Sequence, residues 1–116
     1  MDIEQLREYC LSKKEVSEGF PFGDDTLVFK VKGKIFLIAS LNRPQLQFNL
    51  KCDPEKAIEL REQYDAIQPG YHMNKKLWNT IIGDGSVPWK LIKEMIDDSY
   101  FLIIKSLPKK EQGGLI

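Results

Sequence analysis

Two alternating runs of apolar and polar residues, with a continuous apolar run between them, all within residues 26–51, constrain the fold most strongly. They are 26–32 (TLVFKVK), 35–40 (IFLIAS) and 46–51 (LQFNLK). A period of two is typical of strands with one buried and one solvated face. Only short turns separate the runs, so they predict three consecutive antiparallel strands in a meander.

Helical patterns flank this meander. The apolar spacing of Ile3, Leu6 and Cys10 predicts a first helix from Ile3 to Ser12. Asp53 before Pro54 is typical of a helix start, and a second helix is predicted from Pro54 to about Gln63.

The C-terminal half adds a hairpin and a longer helix. The segments 71–73 and 77–82 are predicted to pair as two further strands. A broad apolar face beginning near Pro88 and ending at Leu107 predicts a helix lying across the sheet. We therefore expect one α+β domain over residues 1–108, an antiparallel β-sheet meander packed by helices. Residues 109–116 are expected to form a flexible cationic tail.

Length and charge limit the classes of function. A chain of 116 residues forms one core, and its 17 basic and 17 acidic side chains cancel. No global field therefore attracts nucleic acid or a membrane, and any such attraction has to come from a local patch. The apolar runs are too short to cross a bilayer. We expect a cytoplasmic protein without a membrane partner, a monomer or weak dimer.

Catalytic and metal sites are weakly supported. Cys52 and His72 are the only thiol and imidazole pair that a nucleophilic mechanism could use, and no signature links them. A metal site would combine His72 and Cys52 with Asp24, Asp25 or Asp53, but no paired ligand spacing occurs. Since nucleotide fingerprints are also missing, the sequence predicts neither an enzyme nor a cofactor.

The remaining chemical signal is cationic and aromatic, and it centres on residues 67–82 (IQPGYHMNKKLWNTII). Lysines at strand and turn positions can neutralise phosphates, and an adjacent aromatic ring can stack on a base. Lysines also protect sheet edges from pairing, and Trp78 could belong to the core. A purely structural role for these residues therefore stays open. The residues of this candidate site are Lys51, His72, Lys75, Lys76 and Trp78. Further candidates are the lysines of the first hairpin, Lys30, Lys32 and Lys34, and the C-terminal Lys109 and Lys110.

The chain also resembles a known family. The segments FPFGDDTLVFKV, PGYHMNKKLWNT and GDGSVP resemble the MmcQ/YjbR family of small bacterial proteins, and the resemblance extends over nearly the whole chain. It implies an antiparallel sheet backed by helices, likened to a "double-wing" DNA-binding arrangement, and it implies DNA binding. The positions that match the family pattern are Tyr71, His72, Asn74, Lys75 and Trp78, with Asn49, Lys51 and Asp53. Members often carry a second histidine where this chain has Leu77.

Two binding hypotheses result, beside a third hypothesis in which an enzyme uses Cys52 or His72 and both residues line one pocket. In the first, Lys51, Lys75 and Lys76 hold DNA phosphates while His72, Asn74 and Trp78 lie near bases or sugars, so the DNA-binding residues are Lys51, His72, Asn74, Lys75, Lys76 and Trp78. In the second, the same polar face or an edge strand holds a protein partner.

Overall fold

The computed structural model describes residues 1–70 and 73–115. These residues form four helices and six strands, and the sheet order is β1-β2-β3-β4-β6-β5 with every neighbouring pair antiparallel. The elements are α1 (Ile3–Leu11), β1 (Val16–Gly19), β2 (Thr26–Val31), β3 (Lys34–Ser40), β4 (Gln47–Lys51), α2 (Pro54–Gln63), β5 (Ile67–Pro69), β6 (Trp78–Ile82), α3 (Trp89–Lys105) and α4 (Lys109–Gln112).

The first two helices begin at aspartate caps. The Asp2 carboxylate accepts a hydrogen bond from the Gln5 amide at 2.9 Å, and the Asp53 carboxylate accepts one from the Lys56 amide at 3.3 Å. Each bond satisfies an amide that has no partner within its helix. Since Pro54 occupies the first helical position, the start of α2 is the predicted one.

The core lies between the sheet and the three longer helices. Phe29, Leu37, Phe48 and Leu50 point to this side and are fully or almost fully buried. Buried residues of α1, α2 and α3 belong to the same cluster, so these helices all cover one face of the sheet. The predicted α+β class, a single domain with an antiparallel sheet packed by helices, is confirmed.

A β-bulge in β3 adapts the sheet to α3. The pairing of β2 with β3 passes from Phe29–Leu37 to Lys30–Ile35 and leaves Phe36 as the additional residue. The Phe36 ring packs edge-on against Tyr100 of α3, with ring centroids 5.5 Å apart. Bulges re-aim side chains in this way.

Two local features of the sheet differ from the prediction. The first strand, β1, precedes the meander and was not predicted, because the sequence indicated only a loop or edge strand further on, at 19–25. The predicted hairpin of 71–73 with 77–82 is replaced by the pairing of β5 with β6. Part of that prediction, at 71–72, lies outside the described residues, while Met73 belongs to no strand.

The C-terminal segment also differs from the predicted flexible tail over 109–116. It contains the helical turn α4, where the Gln112 side chain donates a hydrogen bond to the carbonyl of Leu107 at 2.8 Å. Leu115 is buried, so an apolar side chain fastens this segment to the domain. Across the described residues, no helix has the length and apolar character needed to cross a bilayer.

Candidate nucleic-acid interface on the open sheet face

The sheet face turned away from the helices, called the open face here, carries a distinct set of side chains. Strand register assigns to it Lys30 of β2 and Lys51 of β4, and neither aspartate nor glutamate occupies an open-face strand position in the described part of the chain. Glu18 of β1 lies on the helix side, where it pairs with Arg7 of α1 at 2.6 Å. The acidic groups of the strands are thus kept off this face. Its central polar positions are Thr26, Ser40, Gln47, Asn49, Gln68 and Thr80.

Lys51 and Trp78 are cross-strand partners at one end of the open face. Both are half-buried. The ladder continues one step further, since the amide of Cys52 donates to the carbonyl of Leu77 at 2.8 Å. The end of β4 is therefore tied to the turn that precedes β6, and two separated parts of the predicted site meet.

The turn before β6, called the lysine turn and formed by residues 74–77, carries the two adjacent lysines. The Asn74 side-chain oxygen accepts a hydrogen bond from the Lys76 amide at 3.0 Å, and the Asn74 carbonyl accepts one from the Trp78 amide at 3.0 Å. Lys75 and Lys76 themselves are exposed. Asn74 therefore shapes the turn, an ordinary use of asparagine, while the lysines provide its charge.

Arg61 of α2 supports this turn from the helix side. Its Nε donates to Oδ1 of Asn79 at 2.7 Å, and its terminal nitrogen donates to the carbonyls of Lys75 and Trp78. Asn79 is fully buried, and its Nδ2 has no hydrogen-bond partner among the described residues, so the bond from Arg61 offsets part of the cost of burying the amide. The sequence did not identify Arg61 as a site residue. The available signal was the position of Arg61, a charged residue within the apolar stripe of α2 that begins at Ala57.

A groove runs across the centre of the open face. It encloses about 390 Å³, and an adjoining hollow of about 260 Å³ shares part of its lining. Within it the Thr80 hydroxyl donates to Oδ1 of Asn49, which orients that amide. This open-face groove is lined by Thr26, Ile38, Ser40, Gln47, Asn49 and Thr80 from the strands and by Phe22, Arg43 and Met73 from the loops. Phe22 and Arg43 were not predicted as site residues.

A larger cleft lies at the N-terminal end of α1 and shares Ser40 and Arg43 with the open-face groove. It encloses about 810 Å³ and is bordered by the Arg7–Glu18 pair and by apolar residues such as Phe20 and Leu46. None of the predicted site residues that the structure describes lines this cleft. It therefore contributes nothing to the arrangement of Lys51, the lysine turn and Trp78.

The alternative of thiol and imidazole catalysis meets an unfavourable environment at Cys52. His72, like Tyr71, lies outside the described residues. Cys52 is buried, and burial raises the pKa of its thiol. A raised pKa favours the protonated thiol over the nucleophilic thiolate.

Both thiols are therefore expected to react slowly in the folded protein. Burial raises the pKa of Cys10 from 9.0 to about 12. We expect alkylation of Cys10 at pH 8 to be more than about a hundredfold slower in the native protein than in urea, and Cys52 to be slowed as well. Iodoacetamide labelling followed by peptide mass spectrometry measures this, and equal rates for Cys52 in both states would contradict it. Because the folded state favours the neutral thiol, the contribution of Cys10 to the free energy of unfolding is fully present below pH 9.0. This contribution decreases as the pH rises toward 12.

The fold and this face define a class: a small α+β protein with one helix-covered sheet face and one open face bearing lysines, amides and a tryptophan. The YjbR family model matches residues 11–102, and the chain belongs to the YjbR family.

Relatives with similar sequences support this membership. The chain is 40% identical to the uncharacterized protein YbdF of Escherichia coli O157:H7, over 97% of this chain and 95% of that protein. It is 31% identical to the uncharacterized protein YjbR of Escherichia coli K12, over 100% of this chain and 98% of that protein.

Solved structures also show the same fold. The crystal structure of Deinococcus radiodurans DR2400, described as a DUF419 domain, has a TM-score of 0.91 and 39% identity, covering 97% of this chain and 86% of that one. A crystal structure of a Pseudomonas syringae protein has a TM-score of 0.77 and 28% identity, covering 88% and 98%.

Proposed function

We propose that the chain is a DNA-binding protein that contacts phosphates through the open face and the lysine turn. Charge segregation carries the proposal: the strand positions of the open face include Lys30 and Lys51 but, in the described part of the chain, no carboxylate. A neutral chain can attract a polyanion only through such local segregation. Lys75 and Lys76 are exposed in the turn next to this end of the sheet, and we propose that they contact the same polyanion.

The arrangement of side chains suits a backbone that runs along the end of β4. Lys51 and Trp78 are side by side in the sheet, and the turn with Lys75 and Lys76 follows directly in space. Lysine acts as a flexible point charge toward phosphate, and a partly exposed indole offers an apolar edge to a sugar or base. We propose that Asn74 lies near a base or sugar; the same sequence-based assignment for His72 falls outside the described residues. The proposal is of a cytoplasmic binding protein without catalysis.

Removing the lysine turn should weaken DNA binding and reduce its dependence on salt. We expect Lys75→Ala with Lys76→Ala to lower affinity at least about tenfold at low salt and to reduce the slope of log K against log salt by about 2. Adding Lys51→Ala should reduce the slope further. Fluorescence anisotropy of labelled single-stranded and duplex DNA at two salt concentrations measures both quantities.

A matched control removes the same charge elsewhere. Lys90 and Lys105 are exposed on α3, on the helix side of the sheet. Lys90→Ala with Lys105→Ala should leave affinity and salt slope nearly unchanged. Equal losses in the two double variants would show that only total charge matters, and absence of binding at low salt would refute the proposal.

An exposed aromatic residue supports a second candidate, a protein-interaction module using the same face. Phe22, which lines the open-face groove, is 65% exposed in the loop between β1 and β2. Exposed apolar side chains mark protein contact sites when they form a patch. Pull-downs from lysate with and without nuclease distinguish the candidates, because a partner bound through DNA is lost after digestion whereas a directly bound one remains.

A further inference from the structure

Building on the proposed function, we infer that the open-face groove is a pocket for an unpaired base, and that the DNA is single-stranded where it is bound. A volume of about 390 Å³ lies within the range of small-ligand pockets. A paired base inside a duplex presents only its edge, and it cannot enter such a groove without leaving its partner.

The floor of the groove has the chemistry of base recognition. It combines two primary amides, Gln47 and Asn49, with hydroxyls from three strands, and the only charged side chain among the described lining residues is that of Arg43, from a loop. An amide both donates and accepts hydrogen bonds, as the edges of bases do. The strand residues of this floor, which carry no charge, therefore suit a neutral planar ligand.

One amide is held in place and the other remains available. The Thr80 hydroxyl donates to Oδ1 of Asn49, so the Nδ2 group of Asn49 is the side left to donate to a ligand. The side chain of Gln47 has no hydrogen-bond partner in the ranges 1–70 and 73–115. Both amides are half-buried, where a bond to a ligand competes with less water than it would on an open surface.

The loops supply apolar sides to the groove. Phe22 is 65% exposed, and Met73 lines the groove as well. An exposed ring at the border of a polar floor is the arrangement on which bases stack in single-strand binding proteins, and a thioether adapts to a planar surface. A base held between them would leave its phosphates toward the cationic side chains of the open face, among them Lys51.

Uncharged variants of the groove test the inference. We expect labelled single-stranded oligodeoxyadenylate or oligothymidylate to bind at least about tenfold more tightly than the duplex made from them. Phe22→Ala should weaken single-strand binding by about 5- to 100-fold, and Gln47→Leu, which preserves volume, by about tenfold. The salt slope should stay unchanged, since neither side chain carries charge.

Matched controls lie on the helix side. Phe101 is 40% exposed on α3, and Gln63 is exposed at the end of α2. Phe101→Ala and Gln63→Leu should have no effect on binding. Because Phe22 is mostly exposed, Phe22→Ala should unfold at the same temperature as the wild-type protein, which separates a binding defect from a folding defect.

The outcomes separate this inference from the proposed function. Lysine-dependent binding that favours the duplex, or that is unaffected by Phe22→Ala and Gln47→Leu, would overturn the base pocket and leave the DNA-binding proposal in place. Absence of all DNA binding at low salt would overturn both. Loss of single-strand affinity in the groove variants, with the helix-side controls unchanged, would support the pocket.

Discussion

Gly70→Ala should lower the free energy of unfolding by about 2–3 kcal/mol. A Cβ atom at residue 70 would lie 2.8 Å from Cβ of Trp78 and 2.9 Å from its carbonyl oxygen. The amide of Gly70 donates to that same carbonyl at 2.8 Å, so the two backbones cannot separate without losing this bond. Urea unfolding followed by circular dichroism measures the change, which should appear as a lower midpoint with an unchanged slope.

The matched control is Gly19→Ala in β1. A Cβ at residue 19 meets no atom within 4 Å, and alanine loses less backbone entropy on folding than glycine does. Its effect should stay within about 0.5 kcal/mol of the wild-type value. If both variants had the same midpoint, close packing against β6 would not be the reason that position 70 requires glycine.

The elements predicted correctly are those that short segments specify by themselves. Strands β2 and β4 follow from alternation, β3 follows as the apolar return strand after the turn at Gly33, and α2 begins where Asp53 and Pro54 predict it. Strand β1 was missed because its four residues, VSEG, include two exposed polar side chains and a glycine. Strand β5 was missed because it has only three residues and ends in Pro69. Both exist because a longer neighbouring strand pairs with them.

The candidate site depended on long-range pairing that no local pattern reports. Lys51 and Trp78 are neighbours because β6 inserts between β4 and β5, whereas the sequence predicted a different hairpin. The polar character of Gln47 and Asn49 was predicted, but the groove above them also needs Phe22 from a loop distant in sequence. The sequence thus predicted which polar residues lie on this face, but it did not predict that loop residues enclose them in a groove.

Residues that position the site from the helix side were the hardest to predict. Ser99 is fully buried in the middle of α3, within an apolar stripe. In the sequence, a small polar residue at such a position cannot be distinguished from one that only fills space. Its hydroxyl donates to the carbonyl of Phe36 at 2.6 Å and accepts a hydrogen bond from the amide of Lys51 at 2.9 Å. One side chain therefore satisfies the bulge in β3 and holds the strand end that presents Lys51. Only the folded bulge reveals this requirement.

Ser99→Ala should therefore lower the free energy of unfolding by about 2–4 kcal/mol, because it leaves a carbonyl and an amide without their partner in the interior. Chemical denaturation measures the loss, and hydrogen exchange should be faster at the Lys51 amide than in the wild-type protein. Ser106→Ala is the control. The Ser106 hydroxyl donates to the carbonyl of Ile103 at 2.6 Å, but the residue is exposed, so water replaces the lost bond. The free energy of unfolding should therefore fall by less than about 0.5 kcal/mol. Equal stabilities of the two variants would mean that the bridge between the bulge and β4 adds nothing, and that Lys51 is positioned by the strand ladder alone.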